Sequence, residues 1–358
     1  MIVSGVTAYA NVNARVRGMI ANLLQPVSLA RLAACADFAC VISTLRDTDY
    51  HQYLSEVKET TLTSRRISYE IRKKLASAFI TIIKSAPDFA KPLLIQLFLL
   101  YEVDNLKAVL RGMQIGESWE KIRYMLFPML NFPTLPYEKM VAAGSIDGAI
   151  DAIARSPYHR VLTLALPRYR DEKSLFPLEV ALDLNYWEVV WQQVNALPRQ
   201  DKRYAREIIG MYIDKNNLTW AARYHLYHHL SEVEIINYTL PFGYRIDDTI
   251  IRAVASGRDL VDVVSRVYPP IKKMLESGGI DASELPILEI TLNRLILSTC
   301  RSALLGNTFN IGFLLGFLFL LEMEIQDLTL LIEAKSLGFT PDRYIPYMIN
   351  NIALVMKR

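Results

Sequence analysis

Apolar residues recur along most of this chain at the three- and four-residue spacing of an α-helix, and no long stretch alternates strictly between apolar and polar residues. This pattern predicts helices throughout and no sheet. Its fullest example runs from Pro92 to Gly112, apolar nearly all round in its first half and amphipathic in its second. Proline suits a first helical turn and glycine suits the end of a helix, so we predict one helix over 92–112.

The same periodicity predicts a further series of helices, separated by short polar turns. Two segments are rich in helix-breaking residues, 126–136 with three prolines and 240–248 with Pro-Phe-Gly-Tyr, and we interpret both as linkers. The other predicted helices span approximately 7–24, 28–45, 51–62, 70–85, 138–154, 179–197, 202–215, 220–230, 249–256, 260–268, 271–277, 286–304, 309–321, 325–336 and 343–356.

A five-residue pattern within the helix over 92–112 returns twice further along the chain. It consists of an acid, a variable residue, two small polar or amide residues and a leucine. The leucines are Leu106, Leu218 and Leu328, which are 112 and 110 residues apart. The three copies are Glu-Val-Asp-Asn-Leu at 102–106, Asp-Lys-Asn-Asn-Leu at 214–218 and Glu-Ile-Gln-Asp-Leu at 324–328.

Two other markers follow the same period, which indicates an internal repeat. A tyrosine closes an amphipathic run in each copy, and a glutamate opens the next predicted helix 20 or 21 residues later. Three units of about 110 residues match the usual size of a domain, so we predict three helical domains over 1–125, 126–240 and 241–358. The markers are Tyr50, Tyr158 and Tyr268, followed by Glu70, Glu179 and Glu289.

Composition and charge exclude several classes of protein. Of 358 residues, 52% are apolar and 22% charged, enough to build a core in each domain. The net charge is only +3 and both signs are interspersed, so we expect no nucleic-acid partner. The longest apolar run, 311–321, ends after 11 residues, whereas about 20 are needed to cross a bilayer. With no secretory signal, we expect a protein that is soluble by itself.

The chain carries no recognisable catalytic or cofactor motif. Cys35, Cys40 and Cys300 give no even disulfide framework and are expected to be buried thiols. No phosphate-binding glycine loop occurs. His225 and His229 are spaced to face one metal, but no third ligand can be named, so we expect no metal site. An all-helical enzyme is an alternative, disfavoured by the lack of carboxylate clusters.

The repeated acids, Glu102, Asp214 and Glu324, have two possible roles. On equivalent helices of a pseudo-symmetric protein, they could converge on the axis and meet a basic partner. They could equally satisfy neighbouring helix ends within each domain. The sequence leaves both roles open.

The chain resembles the C subunit of the V/A-type rotary ATPases, the counterpart of the eukaryotic V-ATPase d subunit. The resemblance covers essentially the whole chain, and the order and spacing of its motifs are more specific than any one of them. The middle copy departs from the pattern, with Asp-Lys-Asn-Asn in place of Glu-x-Asp-Asn. The motifs are Tyr-Ala-Asn-Val-Asn-Ala-Arg-Val-Arg at 9–17, Leu-Arg-Asp-Thr-Asp-Tyr at 45–50, Tyr-Glu-Val-Asp-Asn-Leu-Lys-Ala-Val-Leu-Arg at 101–111, Ala-Arg-Ser-Pro-Tyr at 154–158, Gly-Phe-Leu-Phe-Leu-Leu-Glu-Met-Glu-Ile-Gln-Asp-Leu at 316–328 and Lys-Ser-Leu-Gly-Phe-Thr-Pro at 335–341.

The resemblance implies an all-α funnel of three similar domains around a pseudo-threefold axis. Such a protein has no active site and no cofactor, and it couples the central shaft to the membrane ring. Its implied partners are the proteolipid rotor ring, the D and F subunits of the shaft, and the region of the stator membrane subunit, at the cytoplasmic face of the membrane. The candidate partner contacts are Glu102, Asp104, Asp214, Glu324, Arg15 and Arg17.

A helical-repeat adaptor unrelated to rotary motors is the alternative function. The usual helical repeats have periods of 34 to 47 residues, whereas the period here is near 110.

Overall fold

The computed structural model describes residues 5–58, 62–278 and 285–352, and the predicted all-α fold is confirmed because these residues form helices and no strand. The first third of the chain contains α1 Gly5–Ala21, α2 Pro26–Ala33, α3 Phe38–Arg46, α4 His51–Leu54, α5 Ser64–Ser85, α6 Lys91–Phe98, α7 Leu100–Gln114 and α8 Trp119–Ile122.

The middle third contains two short helices, three long ones and another short one. These are α9 Tyr137–Ala142, α10 Ile146–Asp151, α11 Tyr158–Glu172, α12 Phe176–Ala196, α13 Arg199–His228 and α14 Glu232–Asn237. The last third contains α15 Asp248–Ala255, α16 Leu260–Val267, α17 Pro270–Gly278, α18 Leu285–Leu305, α19 Ile311–Ser336 and α20 Pro341–Tyr344, with a 3₁₀ turn at Ile345–Tyr347.

Three helical hairpins form the framework of the molecule. In each, a helix of 21 or 22 residues turns back into a second helical arm: α5 into α6 and α7, α12 into α13, and α18 into α19. The repeated pattern occupies the second arm each time. α6 and α7 are almost one helix, interrupted at Leu99. The apolar faces of these arms join one continuous buried core, so the hairpins pack as a unit.

Helix α1 crosses the turns of all three hairpins. The Tyr9 ring packs edge-on against Phe89, 6.0 Å between centroids, in the first turn. The Tyr9 hydroxyl donates to Asp201 at the second, over 2.9 Å. The Asn13 amide donates over 2.7 Å to the Thr308 carbonyl at the third. We call this side of the molecule, comprising α1 with turns 86–90, 197–198 and 306–310, the turn end.

The second arms finish on the opposite side, which we call the far end. Gly116 and Gly338 follow α7 and α19 with φ of 71° and 70°, the left-handed conformation that ends a helix. The prediction of Gly112 as the closing glycine is wrong. Gly112 lies inside α7, and a Cβ there would come within 2.7 Å of the Ile122 side chain.

Several predicted helix bounds are also corrected. The helix predicted over 28–45 is broken at 34–37, because Asp37 accepts the Cys40 N–H and starts a new helix. Cys35 and Cys40 are therefore not on one helix, and both thiols are free. The helix predicted over 51–62 has one turn before residues 59–61, which lie outside the described residues. The helix over 138–154 is two short ones, and α11 was missed.

Two pairs of predicted helices are each one helix, while another is largely absent. Segments 202–215 and 220–230 fall on α13, which ends at His228, and segments 309–321 and 325–336 fall on α19, which begins at Ile311. The helix predicted over 343–356 is wrong: residues 348–352 have no helix and are held beside α19, and 353–356 lie outside the described residues. Linkers 126–136 and 240–248 are non-helical as predicted, apart from the first residue of α15.

Candidate functional site

The repeated acids and the repeated tyrosines contact each other in three buried pairs. In each pair the phenolic hydroxyl donates to the carboxylate. The side chains lie in the core, with the tyrosines and acids each at most 7% exposed. The pairs are Tyr158 with Glu102 at 2.9 Å, Tyr50 with Glu324 at 2.7 Å, and Tyr268 with Asp214.

The order of these pairs is cyclic. The acid of the first sequence repeat binds the tyrosine of the second, and the acid of the second binds the tyrosine of the third. Glu324 of the third repeat then binds Tyr50 of the first, 274 positions away. The three repeats are therefore joined in a closed ring of equivalent buried hydrogen bonds.

Backbone donors complete all three acid sites, Leu135 doing so for Glu102, and a lysine lies beside one of them. Asp214 accepts the Tyr244 N–H at 2.9 Å and the Arg245 N–H at 2.7 Å. Glu324 accepts the Leu24 N–H at 2.6 Å, and Lys74 Nζ lies 3.6 Å from its Oε1. Each carboxylate thus also fixes a segment of loop, which is the expected use of a buried charge.

Burial dominates the electrostatics of the pairs. It raises the pKa of Glu102, Asp214 and Glu324, while the hydrogen bond from each tyrosine acts in the opposite direction. The pKa of each partner tyrosine is raised, first by burial and then by the nearby carboxylate. The hydroxyls therefore remain protonated and serve as donors at neutral pH.

The fourth residue of each copy of the repeated pattern forms hydrogen bonds with the backbone about 22 residues further along the chain. Asn105 exchanges two hydrogen bonds with the Phe127 backbone, at 3.0 and 2.5 Å, and Asn217 does so with Leu240, at 2.9 and 2.8 Å. The third copy has Asp327, which accepts the Ile349 and Asn350 N–H groups at 2.6 and 2.8 Å. These contacts explain why both linkers, and the segment 348–352, follow the framework so closely.

Ion pairs five residues after two of the repeated leucines were missed in the sequence. Arg111 binds both oxygens of Glu179 at 2.5 and 2.7 Å, and Arg223 binds Glu289 at 2.5 Å. The third copy has Glu333 at that position instead of arginine. Glu70, the remaining repeated glutamate, pairs with its own helix neighbours Arg66 and Lys73. Charge spacing along the three copies could have revealed the first two pairs.

A cavity of about 500 Å³, lined by both polar and apolar side chains, lies between α5, α7 and α19. Its lining includes Arg72, Asp104, Glu322, Gln326 and Glu333. Burial raises the pKa of Glu322 to about 7, against the attraction of Lys215, and burial lowers the pKa of Arg72, against the attraction of Glu333. The cavity therefore places carboxylates and a guanidinium in one partly buried space.

The candidate partner contacts fall into two groups. Glu102, Asp214 and Glu324 are buried and their carboxylates accept hydrogen bonds inside the chain, from the tyrosine of another repeat rather than from helix ends within one domain. Asp104, Arg15 and Arg17 are exposed. Asp104 borders the cavity and pairs with Lys107 at 3.0 Å, while Arg15 and Arg17 lie on α1.

Exposed apolar side chains at the far end were also missed. Each lies nine residues after a repeated leucine, so they occupy equivalent positions at the ends of α7, α13 and α19. They are Ile115, Tyr227 and Leu337, respectively 73%, 67% and 68% exposed. The repeat period predicts this equivalence once the leucines are aligned.

The histidine cluster does not form a metal centre in the part of the chain that the structure describes. His228 stacks on Phe176 with ring centroids 4.6 Å apart, and His225 lies beside Gly257. Within 5–58, 62–278 and 285–352, no three His, Cys, Asp or Glu side chains are grouped to hold a metal ion. In these same ranges, every helix is too short or too polar to span a bilayer.

These features define a class of protein: an all-helical scaffold of three sequence repeats, closed into a ring by buried tyrosine–carboxylate pairs. The sequence profile of the ATP synthase (C/AC39) subunit family matches residues 12–357. The chain belongs to this family, and its resemblance to the C subunit of V/A-type ATPases is thereby confirmed.

Individual relatives agree with this assignment over nearly their full lengths. The C subunit of the A-type ATP synthase of Methanocaldococcus jannaschii is 23% identical, over 96% of this chain and 86% of the relative. Its counterpart in Methanosphaera stadtmanae is 24% identical, over 95% and 87%. That of Pyrococcus abyssi is 22% identical, over 97% and 91%.

Proposed function

We propose that this chain is a non-catalytic rotor component of a V/A-type ATPase or ATP synthase, coupling the central shaft to the proteolipid ring. Its relatives are named as subunits of A-type ATP synthases, which supports a role within such a complex. ATP turnover and ion transport then belong to other subunits, and this chain transmits rotation at the cytoplasmic face of the membrane.

The cyclic set of buried pairs is the observation that supports this role most strongly. A part that transmits torque must not shear between its repeats. Each repeat is bonded to the next, and Glu324 with Tyr50 joins the last to the first. Close packing in the continuous core adds low compressibility, so rotation applied at one end is delivered at the other with little deformation.

The two ends differ in a way that suits two partners. In this proposal the repeats surround a pseudo-threefold axis as a funnel, α1 closes the turn end, and the far end is open. The shaft, made of the D and F subunits, enters from the far end and reaches the cavity between α5, α7 and α19, which Asp104 and Glu333 line. The proteolipid ring lies at the turn end, where α1 presents Arg15 and Arg17, near the region of the stator membrane subunit.

Affinity capture from native membranes tests this function. The tagged full chain is recovered in mild detergent and the co-purifying proteins are identified by mass. A small proteolipid and a long coiled-coil protein, recovered together, are the expected result. A chain recovered alone would overturn the proposal and favour the free-standing helical-repeat adaptor.

The cavity's role in holding the shaft has its own test. Asp104→Asn with Glu333→Gln removes two charges from the cavity without changing side-chain size. The matched control is Glu120→Gln with Glu138→Gln, on α8 and α9. If polar contacts hold the shaft, the cavity variant and high salt should both reduce shaft recovery, while the control should not. Undiminished recovery in high salt would contradict this part of the proposal.

A further inference from the structure

The turn end concentrates positive charge that the rest of the molecule does not neutralise. Two arginines lie on α1, one lysine lies at the end of α5, and three cations lie in the first two turns of α13. They are Arg15, Arg17, Lys84, Arg199, Lys202 and Arg203. In the described parts of the chain, none of these six forms an ion pair with an acid within 4.0 Å.

The acids of the turns offset only a small part of this charge. Asp201 is buried and accepts hydrogen bonds from Tyr9 and from the Ile311 N–H. Asp88 pairs with Lys91 at 2.7 Å.

Apolar side chains stand exposed among these cations. Leu305 is 90% exposed at the end of α18, Val6 is 55% exposed at the start of α1, and Phe89 is 42% exposed in the first turn. Two contacts place them on one side. Phe89 packs against Tyr9, and a Cβ on Gly5, the residue before Val6, would lie 3.2 Å from the Phe309 carbonyl oxygen in the third turn.

Cations interspersed with protruding apolar side chains suit the interface of a membrane. The apolar groups reach the boundary between headgroups and acyl chains, while arginine and lysine contact lipid phosphates. An acidic protein surface would pair with the cations but would give no favourable contact to Leu305, which is 90% exposed. Nucleic acid would gain equally little from the apolar groups.

We propose that the turn end binds the headgroups of anionic phospholipids at the membrane surface, through the six cations, with Leu305, Val6 and Phe89 inserted between the lipids. The inference rests on the proposed function in one respect, that one end of the chain faces a membrane. It goes further by assigning lipid, and not only the protein ring, as a ligand of that end.

Vesicle sedimentation with the purified full chain tests the proposal without any other subunit. The probe is vesicles of phosphatidylcholine mixed with phosphatidylglycerol, compared with vesicles of phosphatidylcholine alone. We expect binding to the mixed vesicles at low salt and little to the neutral ones. Arg199→Gln with Arg203→Gln should lower the partition coefficient about 25-fold, since each basic residue near an anionic surface contributes about fivefold.

A matched control removes the same charge elsewhere. Lys272→Gln with Lys273→Gln changes two exposed lysines on α17, close to Tyr268 and therefore near the middle of α13 rather than the turn end. This variant should bind mixed vesicles within about twofold of the parent chain. Leu305→Ser should weaken binding to a similar degree at low and high salt, because its contribution is apolar.

Three results would overturn the proposal: equal binding to neutral and anionic vesicles, equal losses in the two double variants, or no vesicle binding by a correctly folded chain. If the chain does not bind vesicles but affinity capture still recovers the proteolipid, the turn end binds protein only. If vesicles are bound but no proteolipid is recovered, the lipid site stands and the rotor function fails.

Discussion

The pair that closes the ring, Tyr50 with Glu324, offers a direct measure of what holds the repeats together. Tyr50→Phe removes one hydroxyl and leaves the ring in place. A hydrogen bond to a charged group contributes about 1.5–3 kcal/mol. Because the Leu24 N–H and Lys74 still serve Glu324, we expect the lower part of this range, about 1.5–2 kcal/mol.

Tyr158→Phe should cost more than Tyr50→Phe. The Glu102 carboxylate retains the Leu135 N–H as a donor but has no lysine beside it comparable to Lys74 within the described residues. We therefore expect a loss of about 2–3 kcal/mol. For a chain of this length, the two losses correspond to a fall in Tm of roughly 2–4 °C.

Tyr186 supplies a matched control. It is also a buried tyrosine, 2% exposed, but its hydroxyl has no hydrogen-bond partner among the described residues. Tyr186→Phe should be neutral or slightly stabilising, because it removes an unsatisfied buried polar group. Urea unfolding followed by circular dichroism, at pH 7, measures all three variants, with the m-value checked for constancy.

A double-mutant cycle separates the pair from its surroundings. Tyr50→Phe, Glu324→Gln and the double variant should give a coupling free energy of about 1 kcal/mol or more, since the two side chains are in contact. Equal effects of Tyr50→Phe and Tyr186→Phe, or a coupling near zero, would refute the view that the buried pair joins the third repeat to the first.

Three other predictions follow from particular contacts. Gly210→Ala should destabilise the chain by about 1–3 kcal/mol, because the new Cβ would lie 2.9 Å from Tyr244 Cβ and 3.1 Å from the Tyr244 backbone nitrogen. Gly18→Ala on α1 is the control: the new Cβ meets nothing within 4 Å and should stabilise the chain by about 0.5–1 kcal/mol. Thermal unfolding compares the two variants. Arg223→Ala should cost about 0.5–1 kcal/mol at low salt and less at high salt, since its pair with Glu289 is partly exposed; an effect unchanged by salt would contradict the assignment. Burial raises the pKa of Glu322 from 4.5 to about 7 in the folded chain. The folded state therefore binds the extra proton, and stability falls as pH rises from about 4.5 to 7. Glu322→Gln should make that slope smaller in urea titrations, and an unchanged slope would contradict the assignment.

The sequence predicted the all-helical fold and the repeat because both rest on local periodicity. The helical spacing of apolar residues and the recurrence of Leu106, Leu218 and Leu328 are visible without any tertiary contact. Helix ends were less accessible. The break before α3 depends on capping, since the Asp37 side chain accepts the Cys40 N–H. The continuity of α19 depends on a polar residue, Glu322, lying within a largely buried helix. Hydrophobic periodicity indicates neither.

The partners of the repeated residues could not be predicted from spacing alone. The sequence leaves Glu102, Asp214 and Glu324 two roles, contacts on the axis or partners of nearby helix ends. In the structure, each accepts a hydrogen bond from a tyrosine of another repeat. That pairing is a property of how the hairpins close on one another. The exposed cations of the turn end are likewise far apart in the sequence. They lie on one side of the molecule because α1 contacts all three turns.

Site-directed cross-linking at the two ends tests the central claim most directly. Cysteine is introduced by Leu305→Cys at the turn end or Leu337→Cys at the far end, and the parent chain with its native cysteines serves as background. In the assembled membrane complex, a short bifunctional reagent should join position 305 to a proteolipid or its lipid, and position 337 to a protein of the shaft. Cross-links from both positions to the same partner, or from neither to any other chain of the complex, would contradict a coupler that spans from membrane ring to shaft.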